Sequence, residues 1–388
     1  MFEFEAVKAR HGDALLLHAD GSLIMVDGGP SSVYGKYLRK RLENLRDGSA
    51  PLKIDLLMVS HIDDDHIRGV LDMTDELVDA RLERRAPIAD IRNLWHNSFS
   101  DGLIPPPSAA AVATSGTADD AMELASLDPG GGAVGAALQE STRFVLASVR
   151  QGRSLRRNAG ILRLRTNAGF ADDLVMRDGN AAVRKRVGRF TLNVLAPVKR
   201  ELTELRKKWK RDLKKILDPD TPRVASLELA ANLDKSVANL SSLVIEVKAS
   251  GKSALLTGDA RSDHIMVAMS DVGWPDDGKW PVDLLKVPHH GSNRNATEEF
   301  FARVPARHYV ISGDGKHGNP DAETMDMIFR ARGNDAYTIH LTYSPDEMRE
   351  DDEFEWRDFK RVVDRHDGWQ RLRHPSANSS SLKIKLAR

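Results

Sequence analysis

The strongest chemical signal in this sequence sits in one short segment. Residues 58–70 read MVSHIDDDHIRGV and set His61, Asp63, Asp64, Asp65 and His66 directly behind an apolar run. Two imidazoles and three carboxylates packed so closely repel one another, and divalent metal ions supply the compensating charge. A solvated acidic turn with two incidental histidines is the bland alternative, but an ordinary strand-to-helix turn uses one Asp rather than this group. Two further segments follow the same plan. Residues 254–260 read ALLTGDA and end in Gly258-Asp259, while residues 284–292 read LLKVPHHGS and end in His289-His290-Gly291-Ser292. Each places ligand-type residues at the end of an apolar strand, beside a glycine that lets the backbone turn sharply. Three such strand ends can converge at one edge of a packed sheet.

The elements that must do the positioning are legible around these segments. Short apolar runs at 2–7, 14–18 and 23–26, separated by Gly12-Asp13 and Asp20-Gly21, predict hairpins, and Asp27-Gly28-Gly29-Pro30 stops the third run. Three- and four-residue apolar spacing predicts helices over 33–45 and 67–82. Strands are expected at 54–59 and 88–95, the latter delivering His96-Asn97, and again at 190–195, 243–247, 254–256, 284–287, 309–311, 336–342 and 382–386. Residues 100–189 differ in character. Runs of three prolines (105–107), three alanines (109–111) and three glycines (130–132) mark an insertion or lid outside the main core, with one helix expected over 138–149. Residues 199–217 read as a helix rich in Lys and Arg, and 346–355 as an acidic solvated loop.

Composition narrows the chemistry. The chain has 388 residues, 41% of them hydrophobic, which suffices for a sizeable core. Its 57 Lys+Arg and 57 Asp+Glu sum to a formal charge of +0, which excludes a wholesale polybasic or polyacidic binder. With 0 cysteines, thiolate nucleophiles, disulfides and iron–sulfur clusters are excluded, and any metal must be held by His, Asp and Glu. The opening MFEFEAVKARHGD lacks an apolar export signal, and no run approaches the roughly 20 apolar residues that span a bilayer. A soluble, cytoplasmic protein without membrane contact is expected.

The joint motif set resembles the metallo-β-lactamase fold superfamily of binuclear metal hydrolases, whose signature is HxHxDH at a strand end, then Gly-Asp, then a further His. The closest resemblance is to the ComEC-type subgroup, the hydrolase domain of DNA-uptake competence proteins, which carries SHxDxDHxGG, LLTGD and KxPHHGS. Residues 11–17, 26–29 and 239–247 also resemble parts of that domain, so the likeness covers about 1–97 and 190–325. The resemblance implies an α/β fold, a four-layer αββα sandwich over 1–388 with 100–189 as a largely helical or flexible insertion. It implies two divalent metal ions, zinc or manganese. His61 and Asp63 would hold one, Asp65, His66 and His289 the other, and Asp259 would bridge. His290 competes with His289, the one left over donating to the surrounding shell or to substrate. Asp27 would support the ligands from behind, or simply turn the chain. His96 stands where many members place a third His ligand, although Trp95-His96-Asn97 reads equally as a strand end with Asn97 bonding backbone. Asp63 replaces the second His of most members, a change the subgroup shares, and the oxygen-rich set favours manganese or magnesium over zinc. The subgroup's late GHP appears here as Gly318-Asn319-Pro320, with His317 just before it.

The implied reaction is attack by a metal-bridging hydroxide, with Asp65 orienting it or shuttling its proton and His290 or His289 protonating the leaving group. Phosphodiesters, and nucleic acid in particular, are the expected substrate. Arg153, Arg156, Arg157, Arg163, Arg165, Arg184, Lys185, Arg186 and Arg189 give the neutral chain a basic middle. Lys207, Lys208, Trp209, Lys210 and Arg211 are the expected nucleic-acid contacts, Trp209 by stacking on a base; a solvated helix face is the plain alternative. A hydrolase of a lactam, lactone or thioester is the second reading. A non-catalytic metal-binding component of a larger assembly is the third. If the chain serves defence, a regulatory protein partner acting through the insertion is expected.

Overall fold

Apolar residues that alternate or run unbroken form strands here, and all but two of the strands stack into two sheets. The computed structural model describes residues 1–97, 151–204, 207, 242–275, 277–376 and 378–388. The first half supplies β1 (Phe2–Val7), β2 (Leu15–Ala19), β3 (Ser22–Val26), β4 (Leu52–Ile54), β5 (Leu56–Met58), β6 (Ala89–Ile91), β7 (Asn93–Trp95) and β8 (Arg165–Thr166). The second supplies β9 (Val183–Val187), β10 (Phe190–Ala196), β11 (Val244–Ala249), β12 (Lys252–Leu256), β13 (Val282–Lys286), β14 (Ala306–Ile311), β15 (Thr338–Leu341), β16 (Leu372–Arg373) and β17 (Ser381–Ala387). One sheet has the order β17-β1-β2-β3-β5-β7-β8, the other β16-β15-β14-β13-β12-β11-β10-β9. β3, β5 and β7 are parallel, as are β12 and β13. Their C-terminal ends release Asp27, Ser60-His61 and His96 from one sheet, and Asp259 and His289-His290 from the other.

Side chains of the two sheets meet in an inner core that includes Phe2, Phe4, Leu192, Ile245 and Leu284. The outer face of the first sheet is covered by α1 (Arg39–Asn44), α2 (Asp64–Leu82) and helical residues 151–162, through Leu42, Ile67, Val70, Leu77 and Leu155. The outer face of the second is covered by α3 (Ser262–Val272), α4 (Glu298–Arg303), α5 (Ala322–Arg332) and, beyond the short α6 (Pro345–Met348), α7 (Trp356–Arg365). Ile265, Phe300, Met325 and Phe359 pack from these helices onto Leu285, Tyr309 and Ile339. The layers are therefore helix, sheet, sheet, helix, the αββα arrangement expected.

Three details depart from the sequence reading. The single strand expected over 54–59 is two, because Asp55 interrupts it. Its buried carboxylate accepts Leu23 N–H at 3.2 Å and Arg92 Nη1 at 3.0 Å, and β4 leaves the main sheet to pair with β6. Residues 151–189, expected within the insertion, are instead part of the layers. Residues 151–162 pack on α2, where Asn158 donates to Thr74 Oγ1 and Asp75 Oδ1, and β8 and β9 each close one edge of a sheet. The acidic stretch over 346–355 begins inside α6, whose N-terminus carries a Ser344–Glu347 capping box. The helix expected over 138–149 lies outside the described residues. Among the described residues no helix is long and apolar enough to cross a membrane.

One close approach sets the position of the site. Gly28 N–H donates to His66 O at 2.8 Å and Gly69 N–H to Gly29 O at 2.9 Å. A Cβ on Gly69 would stand 2.0 Å from Gly28 O, so only paired glycines let the loop after β3 lie flush on α2. That contact brings Asp27 against His66.

Candidate metal centre

Asp63 is the extended residue that starts α2, so Asp64, Asp65 and His66 occupy its first turn, where the helix dipole favours carboxylates. His61 precedes it at the end of β5. Asp259 follows Gly258 at the end of β12, and His289 and His290 occupy the turn after β13. That turn is unusual: His289 (φ 47°), His290 (φ 55°) and Gly291 (φ 87°) are all left-handed. Non-glycine residues hold this conformation at a cost.

The group is organised about the buried Asp259 carboxylate. Its Oδ2 lies 3.6 Å from His61 Nε2 and 3.4 Å from His289 Nε2; its Oδ1 lies 3.3 Å from His66 Nε2 and 3.7 Å from His290 Nε2. Asp63 Oδ2 stands on the first side, 3.5 Å from His61 Nε2. Asp65 Oδ2 stands on the second, 3.6 Å from His66 Nε2 and 3.4 Å from His290 Nε2. One carboxylate thus faces two donor sets of two histidines and one aspartate each. Asp65, His66, Asp259 and His290 can each offer one atom within 4.8 Å of the others. The expectation that His289 joins Asp65 and His66 meets a different geometry, since His290 occupies that side and His289 sits across from it with His61.

Behind the ligand atoms, the rings are held by their other nitrogen. Ser60 Oγ–H donates to Asp27 Oδ2 at 2.6 Å, so Ser60 Oγ accepts from His61 Nδ1–H at 3.1 Å. Asp27 Oδ2 accepts from His66 Nδ1–H at 2.9 Å, and Asn295 Oδ1 from His289 Nδ1–H at 2.9 Å. Each contact leaves an Nε2 lone pair aimed at the Asp259 side, the arrangement by which outer partners orient metal-ligating histidines. Asp27 also holds the Ser60 backbone, since its Oδ1 accepts Ser60 N–H at 2.7 Å.

Electrostatics show what the group lacks. Burial pushes the His61 imidazolium pKa down to about 3, with His66 adding to the effect. Burial also opposes charge on His66, yet Asp65, Asp259 and Asp27 outweigh it and raise His66 well above its ordinary range. Burial raises the Asp259 carboxyl, but His289, His66, His61 and His290 outweigh it and hold that acid well below its ordinary range. His61 Nε2 and Asp259 Oδ1 are buried without a hydrogen-bond partner. Buried lone pairs of two chemical kinds converging without donors fit divalent cations.

Sequence reasoning missed the support beneath this group. Asp13 is buried, its Oδ2 2.9 Å from Lys286 Nζ, and its Oδ1 accepts from Ser312 Oγ. The same Oδ1 is 3.8 Å from His290 Nδ1. In the sequence Asp13 is half of a Gly-Asp turn signal and Lys286 the last residue of an apolar run, so neither announces an ion pair.

Other expected residues lie apart. His96 is fully buried and neither ring nitrogen takes a partner; burial, reinforced by Arg156, pushes it down to about 4. Asn97 does bond backbone, donating to Val175 O and accepting Val175 N–H. The His317 ring meets the His11 ring edge-on with centroids 5.3 Å apart, and its Nδ1 is 3.3 Å from Glu353 Oε2. Burial pushes His11 down to about 4 against the pull of Asp65. Lys207 is exposed, 3.0 Å from Glu204 Oε1; Lys208, Trp209, Lys210 and Arg211 lie outside the described residues.

Residues 7–136 match the family model described as Metallo-beta-lactamase superfamily. A 65-residue stretch is 34% identical to Microtubule-associated protein 1A of Rattus norvegicus, covering 16% of this chain and 2% of that protein. Among solved structures, a proposed metal-dependent hydrolase from Parabacteroides distasonis superposes with TM-score 0.36 at 10% identity, over 88% of this chain and 93% of that one. A HARLDQ-motif mutant of the metallo-beta-lactamase from Cronobacter sakazakii gives TM-score 0.29 at 12% identity, over 93% and 90%.

Proposed function

We propose that this chain is a metal-dependent hydrolase of the metallo-β-lactamase kind, and that its substrates are phosphodiesters of nucleic acid. The observation that carries the hydrolase reading is Asp259, whose two oxygens face separate His-His-Asp sets. His61, His289 and Asp63 would hold one cation, His66, His290 and Asp65 the other, with Asp259 shared. Zinc or manganese suits a set mixing imidazole and carboxylate. When bound, such ions lower the pKa of water toward about 7 and stabilise developing negative charge on substrate oxygen.

The chain's own residues do the rest. Asp27, Ser60 and Asn295 hold three rings by Nδ1–H and so fix the direction of their Nε2 atoms. The Asp65 carboxylate is 24% exposed, which lets it orient the attacking water and take its proton. The His289 side chain is 39% exposed and His290 only 3%, so the His289 side of the centre is the one open to substrate and His290 is buried among ligands. The Arg residues of 151–165 and Arg186 and Arg189 are exposed and supply positive charge for a polyanion.

Purified protein with Mn²⁺ or Zn²⁺ is expected to cleave single- or double-stranded DNA or RNA and to stop when EDTA is added. If no nucleic acid is cut with either metal while a lactam, lactone or thioester is hydrolysed, the phosphodiester reading fails. Asp27→Asn is expected to weaken metal binding about 10–100-fold, since the amide cannot both accept from Ser60 and hold His66 as an anion does. Competition with a metal-sensitive dye measures that shift, and unchanged affinity would remove Asp27 from its supporting role.

A further inference from the structure

The second sheet carries a polar groove remote from the chemistry above. Most of its outer face is apolar and covered by helices, but near the edge strand β9 the cover ends. There Arg184, Asn193 and Glu246 are direct cross-strand neighbours on β9, β10 and β11. They floor an open groove of about 520 Å³, walled by Trp280 and Val272 and rimmed by Lys248. The volume lies within the roughly 300–1,000 Å³ typical of small-molecule sites.

The floor is built rather than incidental. Glu246 is 2% exposed and Asn193 7%, and a carboxylate is costly to bury on a face that could have been apolar. Glu246 accepts from Asn193 Nδ2 at 2.9 Å and Trp280 Nε1 at 3.3 Å, and pairs with Lys248 Nζ at 3.0 Å. A carboxylate has about four lone-pair sites, so acceptor capacity remains. Asn193 Oδ1 takes one long contact, from Arg184 Nε at 3.4 Å. Trp280 is braced edge-on by Trp274, with centroids 6.3 Å apart.

We propose that this groove binds a nucleotide. The floor presents acceptors, so it calls for N–H donors along one edge of the ligand. The Trp280 wall calls for a planar ring. Arg184 and Lys248 at the exposed rim call for an attached anion. A heterocycle with exocyclic amino or ring N–H groups, joined to a phosphate, meets all three demands at once. Bases carrying an amino group are favoured over uracil, which offers a single N–H.

The site is independent of the hydrolase reading, and its test is made without metal. Calorimetric titration of the EDTA-treated full chain with AMP, GMP, CMP and UMP is expected to show one-to-one binding of at least one amino-bearing nucleotide, tighter than UMP. Arg184→Glu and Trp280→Ala are expected to weaken it at least about tenfold, Trp280→Phe less, and Asp259→Asn not at all, with melting temperatures confirming that each variant folds. Absence of binding by all four nucleotides at millimolar concentration overturns the proposal. So does binding that Arg184→Glu and Trp280→Ala leave unchanged, or binding lost with Asp259→Asn.

Discussion

Asp259→Asn is expected to abolish hydrolysis, by at least about 10³-fold, and to leave no more than one equivalent of metal on the dialysed protein. The physical reason is that one carboxylate serves two donor sets. Each oxygen faces two imidazole nitrogens, and the four histidines together hold the acid well below its ordinary range. An amide has no charge to share, and its NH₂ would turn a donor away from or against whatever cation that side should hold. Losing several kcal/mol of charge stabilisation in the reaction corresponds to about three powers of ten in rate. Metal content by mass spectrometry and turnover on the cleaved substrate report the two effects separately. A variant that keeps two equivalents and full turnover would remove Asp259 from the bridging position.

The second large effect is expected beneath the site and in stability rather than turnover. Asp13→Ala strands the Lys286 ammonium in a place where both partners are 1% exposed. Breaking a buried pair from one side costs about 3–5 kcal/mol, because the remaining charge has no compensation. The denaturant midpoint of the metal-free protein should fall accordingly, with unchanged slope. Asp13→Leu combined with Lys286→Met should recover most of that loss, since replacing both charges removes the penalty. The pH dependence has a definite sign. Burial raises the Asp13 carboxyl, but Lys286, His290 and His66 outweigh it and hold it below its ordinary 3.8. Its contribution is therefore complete above about pH 4 and is lost as pH falls through the lower folded value. A single Asp13→Ala variant as stable as the parent at pH 7 would contradict this account.

The ligand residues were legible because each stands at the end of an apolar run beside a glycine, a pattern that locates them in three dimensions as well as in type. The strands were legible for the same reason, since buried parallel strands read as unbroken apolar runs. What escaped is whatever depends on partners far along the chain. Asp13 looks like half of a turn, and only the folded sheet brings it to Lys286. Asp55 looks like an ordinary residue in an apolar strand, yet its need for donors from Leu23 and Arg92 splits that strand in two. The stretch VRKRV reads as a charge cluster, but Val183 and Val187 face the inner core while Arg184 and Arg186 line the outer face of β9. The pairing of His289 with His61 rather than with Asp65 likewise rests on backbone angles that spacing does not disclose.

Those angles carry a thermodynamic consequence. Neighbouring residues on an extended strand point to opposite faces, and two adjacent histidines there could not reach one carboxylate. The left-handed turn brings both rings to Asp259 from the same short piece of backbone, at roughly 1–3 kcal/mol for each non-glycine residue so held. Whatever cation the first histidine captures also fixes the conformation the second requires. A cation that either side would hold therefore stabilises the turn on which both sides depend.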